Sequence, residues 1–178
     1  MTDIRYESLC ADRLPDDVLD SYVRYQEVQD VWRCIDGEWR LIRNPYNFDW
    51  SLERRREIVQ EIQSVLADGG KAYGAYDGNT LIGFSLLSMK PFGSRNHYTV
   101  LKLLQISAHH RGLGIGRKLF NMATETARKA GFEKLYISAN CSRESQAAYR
   151  RFGCVYAAEI DDAQVKAEPY DVQMEYVL

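Results

Sequence analysis

Apolar and polar positions alternate at the start of the chain, where DIRYESL reads as a first strand. From Pro15 the period lengthens. In PDDVLDSYVRYQEVQ, the residues Val18, Tyr22, Tyr25 and Val28 share one face of a helical wheel, with proline and acids at its start, so a helix is expected. The stretch DVWRCIDGEWRLIRNPYNFDW, residues 30 to 50, is aromatic and shows no period, and is expected to be irregular. Ser51 then has the chemistry of an N-cap, and LERRREIVQEIQSVLADGG reads as a helix closed by paired glycines.

After Gly70 the period drops to two. KAYGAYD, a GN turn and TLIGFSLLSMK predict a β-hairpin, and HYTVLKLLQIS a third strand. In GRKLFNMATETARKAGF the period returns to that of a helix: Leu119, Ala123, Ala127 and Ala130 form a narrow apolar stripe beside Phe120, and Gly131 ends it. KLYISAN follows as a strand, SRESQAAYRRFG as a short helix, and CVYAAEI and DVQMEYVL as closing strands. A strand, turn, helix and strand in succession join parallel neighbours, whereas the earlier strands read as an antiparallel meander. The expected fold class is α/β, a mixed and mostly antiparallel sheet of about seven strands with helices on both faces, in one domain over residues 1–178.

Composition narrows the function. With 178 residues, 46% hydrophobic and 27% charged, the chain has the balance of a globular domain with a real core. A net charge of −2 argues against a nucleic-acid partner held by bulk electrostatics. No apolar run is long enough to span a membrane, and MTDIRYESLC carries no export signal, so a cytoplasmic location is expected. Cys10, Cys34, Cys141 and Cys154 lack metal-site spacing and read as reduced thiols; no metal is expected.

The chemistry concentrates in SAHHRGLGIGRKLF, where Gly112, Gly114 and Gly116 alternate between Arg111 and Arg117 at a helix entrance. Glycine is a poor helix former, so three of them there need a reason. The first turn of a helix has unpaired N–H groups and a favourable dipole for anions, and glycines let a ligand approach those amides. A phosphate or pyrophosphate seated on residues 111 to 117, including Leu113 and Ile115, is the implied ligand, with both arginines adding charge-assisted bonds. A dinucleotide fingerprint needs GxGxxG and a P-loop needs Lys followed by Ser or Thr; neither fits.

RGLGIG does fit R-x-x-G-x-G, and here the chain resembles the GNAT superfamily of acetyl-CoA-dependent N-acetyltransferases. The resemblance runs over roughly 71 to 160, with LLQIS before the loop, KLYISAN as the next strand, and SQAAYRRFGC on the family's A-x-x-x-Y-x-x-x-G-F helix through Ser145, Tyr149 and Gly153. It implies a sheet splayed at the cofactor site and acetyl-CoA lying in the splay. Leu104 and Ile106 would pair with pantetheine, a backbone N–H near Ile106 would hold the oxyanion, and Asn140, Ser142 and Ser145 would assist cofactor binding. Tyr149 would face the departing sulfur as general acid or hydrogen-bond donor. Proton transfer from a phenol near pKa 10 to a thiolate near 8.5 is uphill by about 2 kcal/mol, which favours the donor role.

The chain departs from the pattern at Ala108, where proline is frequent, at Cys154 for phenylalanine and at Ser142 for asparagine. Gln105 stands where many members keep a basic glutamate. It cannot accept a proton, which leaves water, His97, His109 or His110. The family's first helices wall the acceptor pocket, so Trp32, Trp39 and Gln105 are the candidate acceptor contacts. The resemblance implies a small-molecule primary amine as acceptor and leaves homodimerisation open. The alternatives are a catalytically impaired CoA-binding or regulatory module, transfer of a longer acyl group, and acetylation of a protein N-terminus or lysine.

Overall fold

Along the chain, the elements are β1 (Arg5–Ser8), β2 (Gln26–Ile35), β3 (Glu38–Phe48), α1 (Leu52–Ala67), β4 (Lys71–Asp77), β5 (Thr80–Leu87), β6 (Tyr98–Ile106), α2 (Ile115–Lys129), β7 (Lys134–Ala139), α3 (Arg143–Phe152), β8 (Val155–Tyr156), α4 (Asp162–Ala167) and β9 (Val172–Val177). The structure, a computed structural model, describes residues 3–178; Met1 and Thr2, the start of the stretch read for an export signal, lie outside it. Seven strands form one sheet in the order β1-β4-β5-β6-β7-β9-β8, and β2 and β3 form a separate two-stranded sheet. Among the described residues only the β6–β7 pair is parallel, as the glycine turn and helix between them require.

The two faces of the sheet carry different helices. Phe84 and Leu86 of β5 pack with Ile58, Val59 and Ile62 of α1. Leu87 packs with Phe120 and Ala123 of α2 on the opposite face, and Ile82 with Ile115 and Leu119. Caps fall where the residue types place them. The Ser51 side chain accepts from the Arg54 N–H, Ser142 accepts from Ser145, and Gly153 ends α3 at φ 102°.

The region before α1 corrects the expectation. No helix forms from Pro15; residues 15–22 make three successive i→i+3 turns, Val18 N–H to Pro15, Asp20 to Asp17 and Tyr22 to Leu19. The chain then extends into β2, because Val28 and Val31 are buried by neighbours distant in sequence rather than by a helical face. The aromatic segment is not irregular either, but a hairpin from Gln26 to Phe48 turning at Asp36 and Gly37, both with positive φ (53° and 81°). That pair is the Asp-Gly signal of a two-residue hairpin. The predicted strand over 154–160 shortens to Val155–Tyr156, since the Ala158 N–H turns to the Glu175 carboxylate at 2.9 Å and leaves the ladder. The short helix α4 has no counterpart in the sequence reading; Asp161 caps it by accepting from Ala163.

Candidate active site

β6 and β7 pair only from Tyr98 to Val100 against Lys134 to Tyr136, and then part. Beyond that point β6 stays with β5 and β7 with β9, leaving a gap. A bulge between Leu101 and Leu103 resets the phase of β6. The Ser107 N–H donates to Ile82 on the β5 side at 2.8 Å. By the period-two alternation of a strand, the N–H groups of Leu104 and Ile106 point the other way, into the gap.

The loop at the mouth of the gap is built for backbone contact. Gly112 and Gly114 both have φ +81°, the left-handed region, and a side chain there would meet open space, so the requirement is conformational. Gly114 caps α2. Among the described residues no acceptor is bonded to the backbone N–H of any residue from Gly112 to Arg117, Leu113 and Ile115 included. Six such amides at a helix entrance are the concave donor set that a pyrophosphate fits.

Both arginines of the loop donate to backbone carbonyls. Arg111 donates to three backbone carbonyls, Ile106 at 3.1 Å, Tyr25 at 2.9 Å and Arg24 at 2.9 Å. Arg117 donates to the Arg151 carbonyl at 2.6 Å and lies 5.0 Å from the Phe152 ring centroid. Both therefore fasten the loop, and add field rather than a free fork.

β2 and the residues leading into it strap the open end of the gap. The Ala108 N–H, just after β6, donates to Val23, and the Trp32 N–H donates to Cys141, just after β7, both at 2.8 Å. Gln26 adds a bond from Nε2 to Ser142 Oγ at 3.2 Å. The Ser142 hydroxyl, fully buried, is thus occupied by its cap, by Gln26 and by Ser145 Oγ at 2.9 Å. Asn140 uses Oδ1 to hold the Ser142 N–H at 3.0 Å.

Tyr149 stands on α3 within the cluster that also contains Phe120 and Tyr46. Its hydroxyl makes no hydrogen bond among the described residues, and burial pushes its pKa up, with Cys154 and Asp171 adding to the shift and Arg24 opposing it. It stays a protonated donor. Trp32 and Trp39 lie against side chains of α3 and β8. Trp39 stacks on Tyr156 at 5.5 Å, and Arg150 lies between the Trp32 and Tyr156 rings, so these rings dock the hairpin onto α3 and β8. Gln105 is half-buried on β6 opposite Phe84, and its side chain makes no hydrogen bond among the described residues.

The histidines considered as bases lie outside this arrangement or on its rim. His97 is buried before β6, near Glu159 at 3.4 Å. His109 is exposed, and His110 sits 3.6 Å from Asp77. What the sequence reading missed is Asp171. It directly precedes β9, whose Val172 pairs with Ala139, so continuing the register sets it beside Asn140 at the lip of the gap. Burial pushes its carboxyl pKa up to about 7, with Glu168 adding to the rise and Ser138 and Arg33 opposing it. Nothing in its local sequence, EPYDV, marks it; only the β9 register does.

The family model described as acetyltransferase (GNAT) family matches residues 33–154. Among solved structures, a nourseothricin acetyltransferase is similar at TM-score 0.71 and 22% identity, covering 98% of each chain. A putative streptothricin acetyltransferase from Bacillus anthracis, in complex with acetyl coenzyme A, gives TM-score 0.68 at 16% identity, over 99% of this chain and 98% of that one. A GNAT acetyltransferase from Elizabethkingia anophelis with acetyl-CoA bound gives 0.59 at 16%, over 100% of both. These are likenesses of fold. No curated protein sequence matches the chain.

Proposed function

Since the chain belongs to the GNAT acetyltransferase family, we propose that it moves the acetyl group of acetyl-CoA directly to a primary amine of a small molecule. The observation that carries this is the row of acceptor-free amides from Gly112 to Arg117 at the mouth of the β6–β7 gap. The residues fit the cosubstrate. Open space lies over both left-handed glycines, two strand amides point into the gap, and the Tyr149 hydroxyl is unpartnered. The loop would hold the pyrophosphate, and Leu104, Ile106 and Asn140 the pantetheine arm.

Acetyl-CoA supplies the activated thioester; the protein supplies donors and a base. The N–H of Leu104 or Ile106 donates to the thioester oxygen as charge develops there. Asp171, with a pKa near 7, takes one proton from the ammonium form of the acceptor, the role Gln105 cannot play. The C–N bond forms as the C–S bond breaks, and the second amine proton ends on the sulfur. Tyr149 donates a hydrogen bond to that sulfur. Because its pKa is raised, it steadies the leaving group rather than surrendering its proton.

Thermal unfolding with acetyl-CoA, CoA, NADH and ATP tests the assignment. At a hundredfold excess over the dissociation constant, binding adds about 2.7 kcal/mol, or roughly 5–10 °C for a domain of this size. A shift with acetyl-CoA and CoA alone is expected; no shift with either refutes the assignment. Release of CoA on adding an amine then separates a transferase from a binding module.

A further inference from the structure

Two charged side chains of opposite sign stand at the gap without ion-pair partners. Arg24 is only 6% exposed, with its guanidinium 4.6 Å from the Phe48 ring centroid and 5.8 Å from that of Trp50. Its one side-chain hydrogen bond runs from Nη1 to Gln26 Oε1 at 3.1 Å, and the buried Nε has no acceptor. Among the described residues no carboxylate pairs with it, an arrangement that burial makes costly unless an anion arrives. Its position at the gap is fixed twice. Arg111 ties the Arg24 carbonyl to Ile106 on β6, and Gln26 links the guanidinium to Ser142 at the start of α3.

Asp171 lies on the other lip, beside Asn140 at the end of β7, and likewise makes no ion pair among the described residues. The charges of Arg24 and Asp171 are both felt at the Tyr149 hydroxyl. They are not each other's partners: Arg24 is influenced by Arg111 and the tyrosines 22, 46 and 149, Asp171 by Glu168, Ser138 and Arg33. Tyr149, to which the reacting sulfur is assigned, thus has a buried cation and a half-buried acid in its surroundings.

We infer that the acceptor is an amine that also carries an anionic group, a carboxylate in the first instance, with its amine toward Asp171 and its anion on the Arg24 guanidinium. This rests on the acetyltransferase reading above. A charge-assisted contact from a buried guanidinium is the strong kind of hydrogen bond, and a substrate without the anion leaves that cation unpaired. Phe48 and Trp50 behind the guanidinium form an apolar wall that fixes its plane.

The test uses the full chain, acetyl-CoA at saturation and matched amines: phenylalanine, phenylalaninamide and phenethylamine, and lysine, lysinamide and cadaverine. At least one carboxylate-bearing member is expected to exceed its amide and its decarboxylated counterpart by about ten- to hundredfold in kcat/KM. Arg24→Gln should erase that preference through KM for the acid, leaving the neutral amines and the acetyl-CoA KM within about twofold, and Arg24→Lys should keep part of it. The inference is overturned if no acid is acetylated faster than its neutral counterparts. It is also overturned if Arg24→Gln slows every amine alike, which would make Arg24 a fastener of the hairpin. Loss of acetyl-CoA-dependent stabilisation in the wild type would instead refute the transferase reading on which it rests.

Discussion

On the side of β6 and α2 the gap presents backbone, whereas on the side of the strap, α3 and β9 it presents side chains. The first wall offers amides from Gly112 to Arg117 and from Leu104 and Ile106, and its two arginines are spent holding carbonyls. The second offers Tyr149, Arg24 and Asp171, each buried or half-buried, and none with an ion pair among the described residues. A wall of amides answers to backbone conformation and tolerates most side-chain change outside its left-handed positions. A wall of buried, under-partnered side chains answers to single atoms. Cofactor affinity should therefore depend on the loop, and rate and acceptor choice on the opposite wall.

The sharpest way to break that division is Asp171→Asn, which removes the proposed base and keeps the shape. A fall of about 10²–10⁴ in kcat/KM is expected, with acetyl-CoA affinity retained. In the wild type kcat/KM should rise with pH and level off above about 7, as Asp171 loses its proton. The variant should show no such rise. The same group gives a stability signature of opposite direction. Its folded pKa lies above the ordinary carboxylate value, so the folded state binds the extra proton between about pH 4 and 7, and stability falls as pH rises through that window. Asp171→Asn should therefore raise Tm at pH 8 and change it little at pH 4, at roughly 2–4 °C per kcal/mol gained.

Next in size is Tyr149→Phe, expected to lower kcat by about 10²–10³, the loss typical of one transition-state donor. Acetyl-CoA affinity measured by calorimetry should hardly move; a large loss there would make the ring structural. Gly114→Ala probes the other wall. At φ +81° an L side chain costs about 1–2 kcal/mol, and the site has no steric conflict to add. The acetyl-CoA KM should rise about five- to thirtyfold, with kcat at saturation little changed.

The smallest expected effect distinguishes docking from substrate contact. Trp39→Ala removes the stack on Tyr156, worth about 0.5–1.5 kcal/mol beyond burial. Tm should fall by a few degrees while acceptor KM stays within about twofold, because the ring packs the hairpin rather than the acceptor. A rise in acceptor KM with Tm unmoved would return Trp39 to the pocket.

What the residues determined by themselves is everything that local chemistry can specify. RGLGIG predicts a side-chain-free entrance to a helix, Ser51 and Ser142 carry their own caps, and Gly131 and Gly153 their own stops. The period-two runs after Gly70 and the glycine-turned crossover specify the sheet, because each strand there pairs with a near neighbour in the chain or across one helix. The hairpin was harder to read despite its Asp36–Gly37 turn. β3 is exposed at most positions, so burial imposes no period on it.

Only the tertiary structure decided the strap and the second wall. β2 and the segment leading into it take their place from bonds to residues 108, 141 and 142, contacts between segments far apart in the chain, and these override the helical spacing of Val18, Tyr22, Tyr25 and Val28. Arg24 and Asp171 look like any surface charges in the sequence. Their chemistry comes from desolvation, and desolvation belongs to the packed molecule, where distant elements take water away from both.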